Sequence, residues 1–157
     1  MRPNNKTLYI LDLDHTLIYG SYVPSESAKV LFKYSQYLTV YERPHARELV
    51  KLVHRLGDVI VYTTAKADYA RKICAALEIK PIELLTRRNC LRRNGEYKKR
   101  ILPEWEAKWR EIVVIDDSPD VWVNFKTKKI IAPSKFMGNR NDKQIGNVLI
   151  EMQKHIK

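Results

Sequence analysis

Short apolar runs alternate along this chain with stretches in which apolar residues recur every three or four positions, the pattern of a sheet with helices packed on its faces. The runs predict strands at Thr7 to Leu13, Asp58 to Tyr62, Ile112 to Ile115 and Lys129 to Ile131. Between the first two, Ala46, Leu49, Val50, Val53 and Leu56 share one helical face, with Pro44 in the first turn and Gly57 as the stop. A second helix carries Ala67, Ala70, Ile73, Cys74 and Leu77 on one stripe and ends before Pro81. A last helix starts near Asp142 and turns Ile145, Val148, Leu149, Met152 and Ile156 inward.

Two segments break the alternation. Residues 19 to 37 hold Gly20, Pro24, Ser25, Ser27 and four tyrosines, which reads as a loop or flap inserted after the first strand. Residues 89 to 98 read as a small hairpin, with Asn94-Gly95 as a two-residue type I′ turn. In a parallel sheet both overhang the carboxyl end of the first strand and can shape access to it. No repeat, low-complexity tract or linker interrupts the 157 residues, so one domain spanning 1 to 157 is expected.

Cysteine usage narrows the class. Cys74 and Cys90 are too few for a disulfide framework and have no zinc-site spacing, which fits a reduced intracellular compartment, cytoplasmic or nuclear. The first six residues lead into a strand rather than a secretory core, and no apolar stretch approaches a membrane span, so no membrane partner is expected. Charge then selects partners. With 29 Lys plus Arg against 18 Asp plus Glu the chain carries +11, and Arg87-Arg88, Arg92-Arg93, Lys98-Lys99-Arg100 and Lys126, Lys128 and Lys129 are clustered. Such a surface is either a solvated basic face or one that attracts phosphorylated substrates, acidic protein segments or nucleic acid.

The chemistry lies at the strand ends. The first strand delivers Asp12 and Asp14, two carboxylates two positions apart, at the mouth of the sheet, where open α/β proteins bind their ligands. One carboxylate can attack an electrophile while the other moves protons, and together they can hold a hard cation; a strand end running into a turn has the same composition. The second strand ends in Thr63-Thr64, whose hydroxyl and backbone N–H suit a phosphoryl oxygen, although Thr64 is also a fit helix cap. Lys99 supplies a cation. The third strand ends in Asp116-Asp117, where Ser118-Pro119 also reads as a helix start. The order of carboxylate pair, hydroxyl, lysine and second carboxylate pair argues against coincidence.

These residues resemble the four ordered motifs of the haloacid dehalogenase superfamily, at Asp12-Leu13-Asp14-His15-Thr16, Thr63, Lys99 and Asp116-Asp117. More narrowly, the chain is similar to the NLI-interacting-factor-like branch, the family of small RNA polymerase II C-terminal-domain phosphatases. The added matches are Val40-Tyr41-Glu42-Arg43-Pro44-His45, Tyr62-Thr63-Thr64-Ala65 with Tyr69-Ala70, Asn89-Cys90 with Gly95, Tyr97 and Lys99, and Asp116-Asp117-Ser118-Pro119. The resemblance implies a Rossmann-like α/β fold, a mostly parallel sheet with helices on both faces, and magnesium-dependent phosphomonoester hydrolysis. It assigns Asp12 as nucleophile forming a phosphoaspartate and Asp14 as general acid and base. It also assigns Mg²⁺ to the Asp12 carboxylate, the Asp14 carbonyl and Asp116 or Asp117, and phosphate contacts to Thr63 and Lys99.

Arg87 falls near a phosphate-contacting arginine of the branch, with Arg88 beside it leaving the register open. The branch often has Asp-Asn where this chain has Asp116-Asp117, and residues 134 to 138 lack the acidic run common there. Residues 19 to 37 match no peptide-recognition insert, so the chemistry carries over better than the target. The leading expectation is hydrolysis of phosphoserine or phosphothreonine in proteins. The alternatives are a small phosphate ester, nucleotide or nucleic-acid end, and a non-catalytic nucleic-acid-binding module.

Overall fold

The structure, a computed structural model, describes residues 4–25, 28–123, 129–154 and 156. In chain order its elements are β1 (Asn4–Leu11), β2 (Ile18–Ser21), β3 (Lys29–Lys33), β4 (Thr39–Glu42), α1 (Ala46–Leu56), β5 (Gly57–Tyr62), α2 (Ala67–Ala76), β6 (Glu83–Leu85), β7 (Leu91–Arg93), β8 (Glu96–Lys98), α3 (Pro103–Lys108), β9 (Trp109–Ile115), β10 (Lys129–Ile131) and α4 (Gln144–Lys154). Five strands form one parallel sheet in the order β10-β9-β1-β5-β6. The chain steps from β1 outward to β5 and β6, then returns to the other side of β1 for β9 and β10. That reversal opens a crevice between the carboxyl ends of β1 and β9.

Side chains alternate across this sheet and build two cores. Tyr9, Leu11, Val59, Val61, Val113 and Ile115 face α1, α2 and α4 through Leu49, Val50, Val53, Ile73, Val148 and Leu149. Leu8, Ile10, Ile60, Tyr62, Ile112 and Val114 face the other way. Among the described residues that second side has only the short α3, and Trp105, Trp109 and Trp122 fill the space that longer helices cover on the first.

Several expectations need adjustment. Leu13 is not in β1: its carbonyl accepts the N–H groups of Thr16, Leu17 and Ile18, so the chain leaves the sheet after Leu11 and turns through His15, φ 65°. Pro44 lies ahead of α1, which starts at Ala46 behind His45 in the left-handed region. Gly57 ends α1 with an extended backbone, and space explains the glycine: a Cβ there would lie 2.1 Å from the Thr7 carbonyl oxygen of the adjacent strand. Ile156 is 41% exposed beyond the end of α4, whereas Ile145, Val148 and Leu149 are buried as expected. Sequence periodicity did not reveal β6 or α3, which have three and six residues.

The segment after β1 is an antiparallel flap, β2-β4-β3, joined to the turn by a bridge between Asp14 and Ile18. The hairpin is β7-β8, with positive φ at both Asn94 and Gly95 as its type I′ turn requires. Ser27, Lys126 and Lys128, named in the flap and in a basic cluster, lie outside the described residues, as do residues 1 to 3.

Candidate active site

Asp12 is the first residue beyond β1, and its N–H still donates to the Ile115 carbonyl of β9 at 3.0 Å. The same geometry one strand over gives Asp116, whose N–H donates to the Ile131 carbonyl. Two sheet-anchored carboxylates therefore face each other across the crevice, on residues only 8% and 1% exposed. Between them stands Lys99, carried in from the end of β8 and held by backbone bonds to Val121 and Val123. Its ammonium donates to Asp12 Oδ1 at 3.0 Å and to Asp116 Oδ2 at 2.7 Å, and lies 5.8 and 5.7 Å from the Tyr62 and Trp122 ring centroids.

The remaining carboxylate oxygens are committed as well. Asp116 accepts from the Trp122 indole at 3.0 Å and from the Ser118 N–H at 2.9 Å. Ser118 therefore sits where a cap would, but its hydroxyl donates to Asp117 and the following turn, Pro119–Val121, is a single 3₁₀ turn. The Thr16 hydroxyl lies 2.9 Å from Asp12 Oδ2 and 2.8 Å from Asp117 Oδ1 while accepting the Asp117 N–H. It carries one proton and so serves one carboxylate at a time. Lys135 approaches Asp117 from the surface at 3.3 Å.

Electrostatics follow from this packing. Burial pushes the Asp12 carboxyl well above its ordinary range; Lys99 opposes the rise, and Asp116 and Asp117 add to it. Burial also works against the Lys99 ammonium, but Asp12 and Asp116 overcome it and raise its pKa, so it stays charged. Asp117 would be raised by burial, yet hydrogen bonding at its oxygens, including the Thr16 and Ser118 hydroxyls, and the charge of Lys135 hold it below the usual value. Oxygens of Asp12, Asp116 and Asp117 lie within 4.8 Å of one another. Three carboxylates around a single buried ammonium leave the pocket short of positive charge, and an all-oxygen donor set suits a hard divalent cation.

Asp14 stands apart from that group. Its carboxylate accepts the Tyr69 hydroxyl at 3.2 Å, and burial raises its pKa despite that bond. It opens onto a cleft of about 450 Å³ lined by Tyr22 and Tyr34 from the flap, Tyr69, Thr64 and Arg87. Gly20 makes the contact with the flap possible: a Cβ there would lie 2.5 Å from the Tyr69 hydroxyl oxygen. Thr63 lies just beyond β5, where its buried hydroxyl accepts the Ala65 N–H at 3.0 Å. Thr64 is not a helix cap, since α2 begins behind Lys66; its carbonyl accepts the Arg87 Nε–H at 2.9 Å. That bond turns Arg87 into the cleft, whereas Arg88 lines a separate depression with Arg71 and Thr86.

Sequence reasoning gave no role to four supporting side chains: Thr16, Tyr69 and Arg43, which it named only within family motifs, and Trp122, which it did not name. Arg43 is the one most deeply tied into the fold. Its guanidinium bonds both oxygens of Asp142, at 2.9 and 3.1 Å, and the carbonyls of His15, Thr16 and Ser134, and it lies 5.6 Å from the Phe136 ring. His15, which takes the left-handed turn, is fixed as well by the Phe136 N–H donating to its carbonyl. The Arg-Pro-His motif thus clamps the turn that carries Asp12 and Asp14.

A Rossmann-like sheet with an aspartate at the end of β1 and acidic residues across the switch point defines the haloacid dehalogenase class. Residues 6–157 match the NLI interacting factor-like phosphatase family, and the chain belongs to it. It is 24% identical over 155 residues to the human carboxy-terminal domain RNA polymerase II polypeptide A small phosphatase 1, covering 94% of this chain and 59% of that protein. It is 27% identical to the RNA polymerase II C-terminal domain phosphatase of Caenorhabditis elegans, over 92% of this chain and 23% of the relative. The solved structure of Fcp1, an essential RNA polymerase II CTD phosphatase, superposes with a TM-score of 0.60 at 18% identity, covering 95% of this chain and 50% of that one. The chain thus spans less than two-thirds of the length of each of these relatives. No helix among the described residues is long and apolar enough to cross a membrane.

Proposed function

We propose that residues 1 to 157 act as one phosphatase domain that hydrolyses phosphoserine or phosphothreonine in proteins through a phosphoaspartate on Asp12. The observation that carries this reading is the unequal setting of the two motif carboxylates. Asp12 is locked in the crevice by Lys99 and Thr16, as a nucleophile must be, while Asp14 faces the open cleft, where a leaving group departs. In the first step an Asp12 oxygen attacks phosphorus and the bond to the seryl oxygen breaks; Asp14 gives that oxygen its proton. In the second, Asp14 takes a proton from water as the water attacks the same phosphorus, releasing phosphate and restoring Asp12. Lys99 and the Thr63 hydroxyl bind the oxygens on which charge accumulates, and Arg87 holds the phosphate from the cleft side.

Asp12, Asp116 and Asp117, with the Asp14 carbonyl, are the residues that would hold Mg²⁺, which when bound supplies charge to offset repulsion between carboxylate and phosphate dianion. Relatives named as phosphatases of the RNA polymerase II C-terminal domain support a protein substrate and an intracellular site of action, cytoplasmic or nuclear. The test is to mix enzyme with phosphoserine peptide, quench in acid, and map phosphate by mass spectrometry. Label on the Asp12 peptide is expected, with loss of turnover by at least ~10³-fold in Asp12→Asn. Phosphate on another residue, or a preference for small esters over every phosphopeptide, overturns the reading.

A further inference from the structure

The basic cluster is divided by the structure into unlike parts. Lys98 is engaged by Glu96 at 3.2 Å and by the Asp120 carbonyl at 3.3 Å. Arg88 faces away from the cleft, and Arg93 stands opposite Glu96 in the hairpin register. Arg87 and Arg92 are different: both guanidinium groups sit against the ring of Tyr97, their Cζ atoms 5.1 and 4.9 Å from its centroid. Arg92 also reaches the Tyr97 hydroxyl and the Gly95 carbonyl at 3.4 Å. Among the described residues neither arginine has a carboxylate within ion-pair distance. Two cations are therefore held on one aromatic ring with their remaining N–H donors uncommitted, a pre-set receptor for anions.

Position gives the pair its meaning. Arg87 borders the cleft through its bond to Thr64, and Arg92, exposed on the hairpin strand β7, shares the Tyr97 ring with it, so a second cation stands next to the one at the cleft. Their separation is no more than the span of about three extended residues. We propose that Arg92, held on Tyr97 beside Arg87, forms a second anion subsite that selects phosphopeptides bearing an acidic side chain two or three residues from the phosphorylated one. This rests on the phosphatase reading above. An acidic peptide is favoured over single-stranded nucleic acid because the aromatic ring here is already engaged by two guanidinium groups and is not free to stack a base.

The experiment compares phosphoserine peptides carrying Glu, or Gln in its place, two and three residues to either side. For wild type, kcat/KM is expected to be roughly tenfold higher for the Glu peptide of one placement at low salt, and the advantage to shrink as salt rises. In Arg92→Ala and Tyr97→Leu the ratio between Glu and Gln peptides should fall to about one; equal circular dichroism and melting temperature show that the fold is kept. A wild-type ratio of one at every placement, or a ratio that survives Arg92→Ala, overturns the subsite. If no peptide is hydrolysed, the phosphatase reading fails separately, and fluorescence anisotropy of the same labelled peptides then decides the subsite by whether Glu tightens binding in wild type but not in Arg92→Ala. Oligothymidylate that displaces the acidic peptide at lower concentration than the peptide itself would assign the surface to nucleic acid instead.

Discussion

Replacing Arg43 by alanine tests whether the clamp on the catalytic turn is as important as its geometry implies. The side chain is fully buried, and its loss strands the charge of Asp142, whose side chain is 12% exposed, and takes a donor from the carbonyls of Thr16 and Ser134, while the His15 carbonyl keeps only the Phe136 N–H. Breaking a buried ion pair from one side costs about 3–5 kcal/mol, because the abandoned charge keeps its desolvation penalty. Against a total of about 5–15 kcal/mol for a domain, that is a large share. The melting temperature should drop by roughly 6–20 °C, at about 2–4 °C per kcal/mol for a chain of this size.

Arg43→Lys keeps a charge but cannot fork onto both Asp142 oxygens while reaching three carbonyls, so it should recover less than half of the loss. Adding Asp142→Asn to Arg43→Ala removes the stranded charge, so the double variant should be less destabilised than the sum of the two single changes. Urea denaturation measures each variant against wild type. Activity supplies the second axis: at a temperature where Arg43→Ala is folded, kcat should still fall at least about tenfold, since the turn bearing Asp12 and Asp14 has lost its anchor. A loss of under about 1 kcal/mol with unchanged kcat refutes the clamp.

Other outcomes follow from the same geometry. Asp14→Asn should abolish turnover of phosphoserine peptides yet permit a burst of aryl phosphate cleavage, because an activated leaving group departs without a proton while hydrolysis of the intermediate still needs a base; rapid-quench kinetics would show burst and steady state separately. Chelation should abolish activity, magnesium should restore it, and calcium should restore it poorly because its larger, looser shell shifts the phosphate; full activity in excess chelator sinks the cation assignment. Gly57→Ala should destabilise by about 3 kcal/mol in urea, the upper end for overpacking, since the new Cβ meets a backbone oxygen at 2.1 Å and neither strand can retreat without disturbing the β1–β5 ladder.

The parts of this molecule that were legible in sequence are those in which one strand or one face decides the outcome. Ile112 to Ile115 is apolar throughout because both sides of β9 are covered, and Asn94-Gly95 has one low-energy turn available to it. Asp12, Thr63, Lys99 and Asp116 were visible because each lies just past an element whose end was readable. What escaped depends on contacts across long sequence separation. Trp122 looks like core until its indole is seen to donate to Asp116, and Tyr69 like the polar side of α2 until Gly20 lets the flap close over its hydroxyl. Arg43 is the extreme case, since its partners lie 27, 28, 91 and 99 positions away. Only the fold brings the Asp142 carboxylate and the carbonyls of His15, Thr16 and Ser134 to a single point. The candidate site residues sit at ends of strands and can be read one strand at a time; the turn between Asp12 and Thr16 is tied down by Arg43, whose partners no local pattern names.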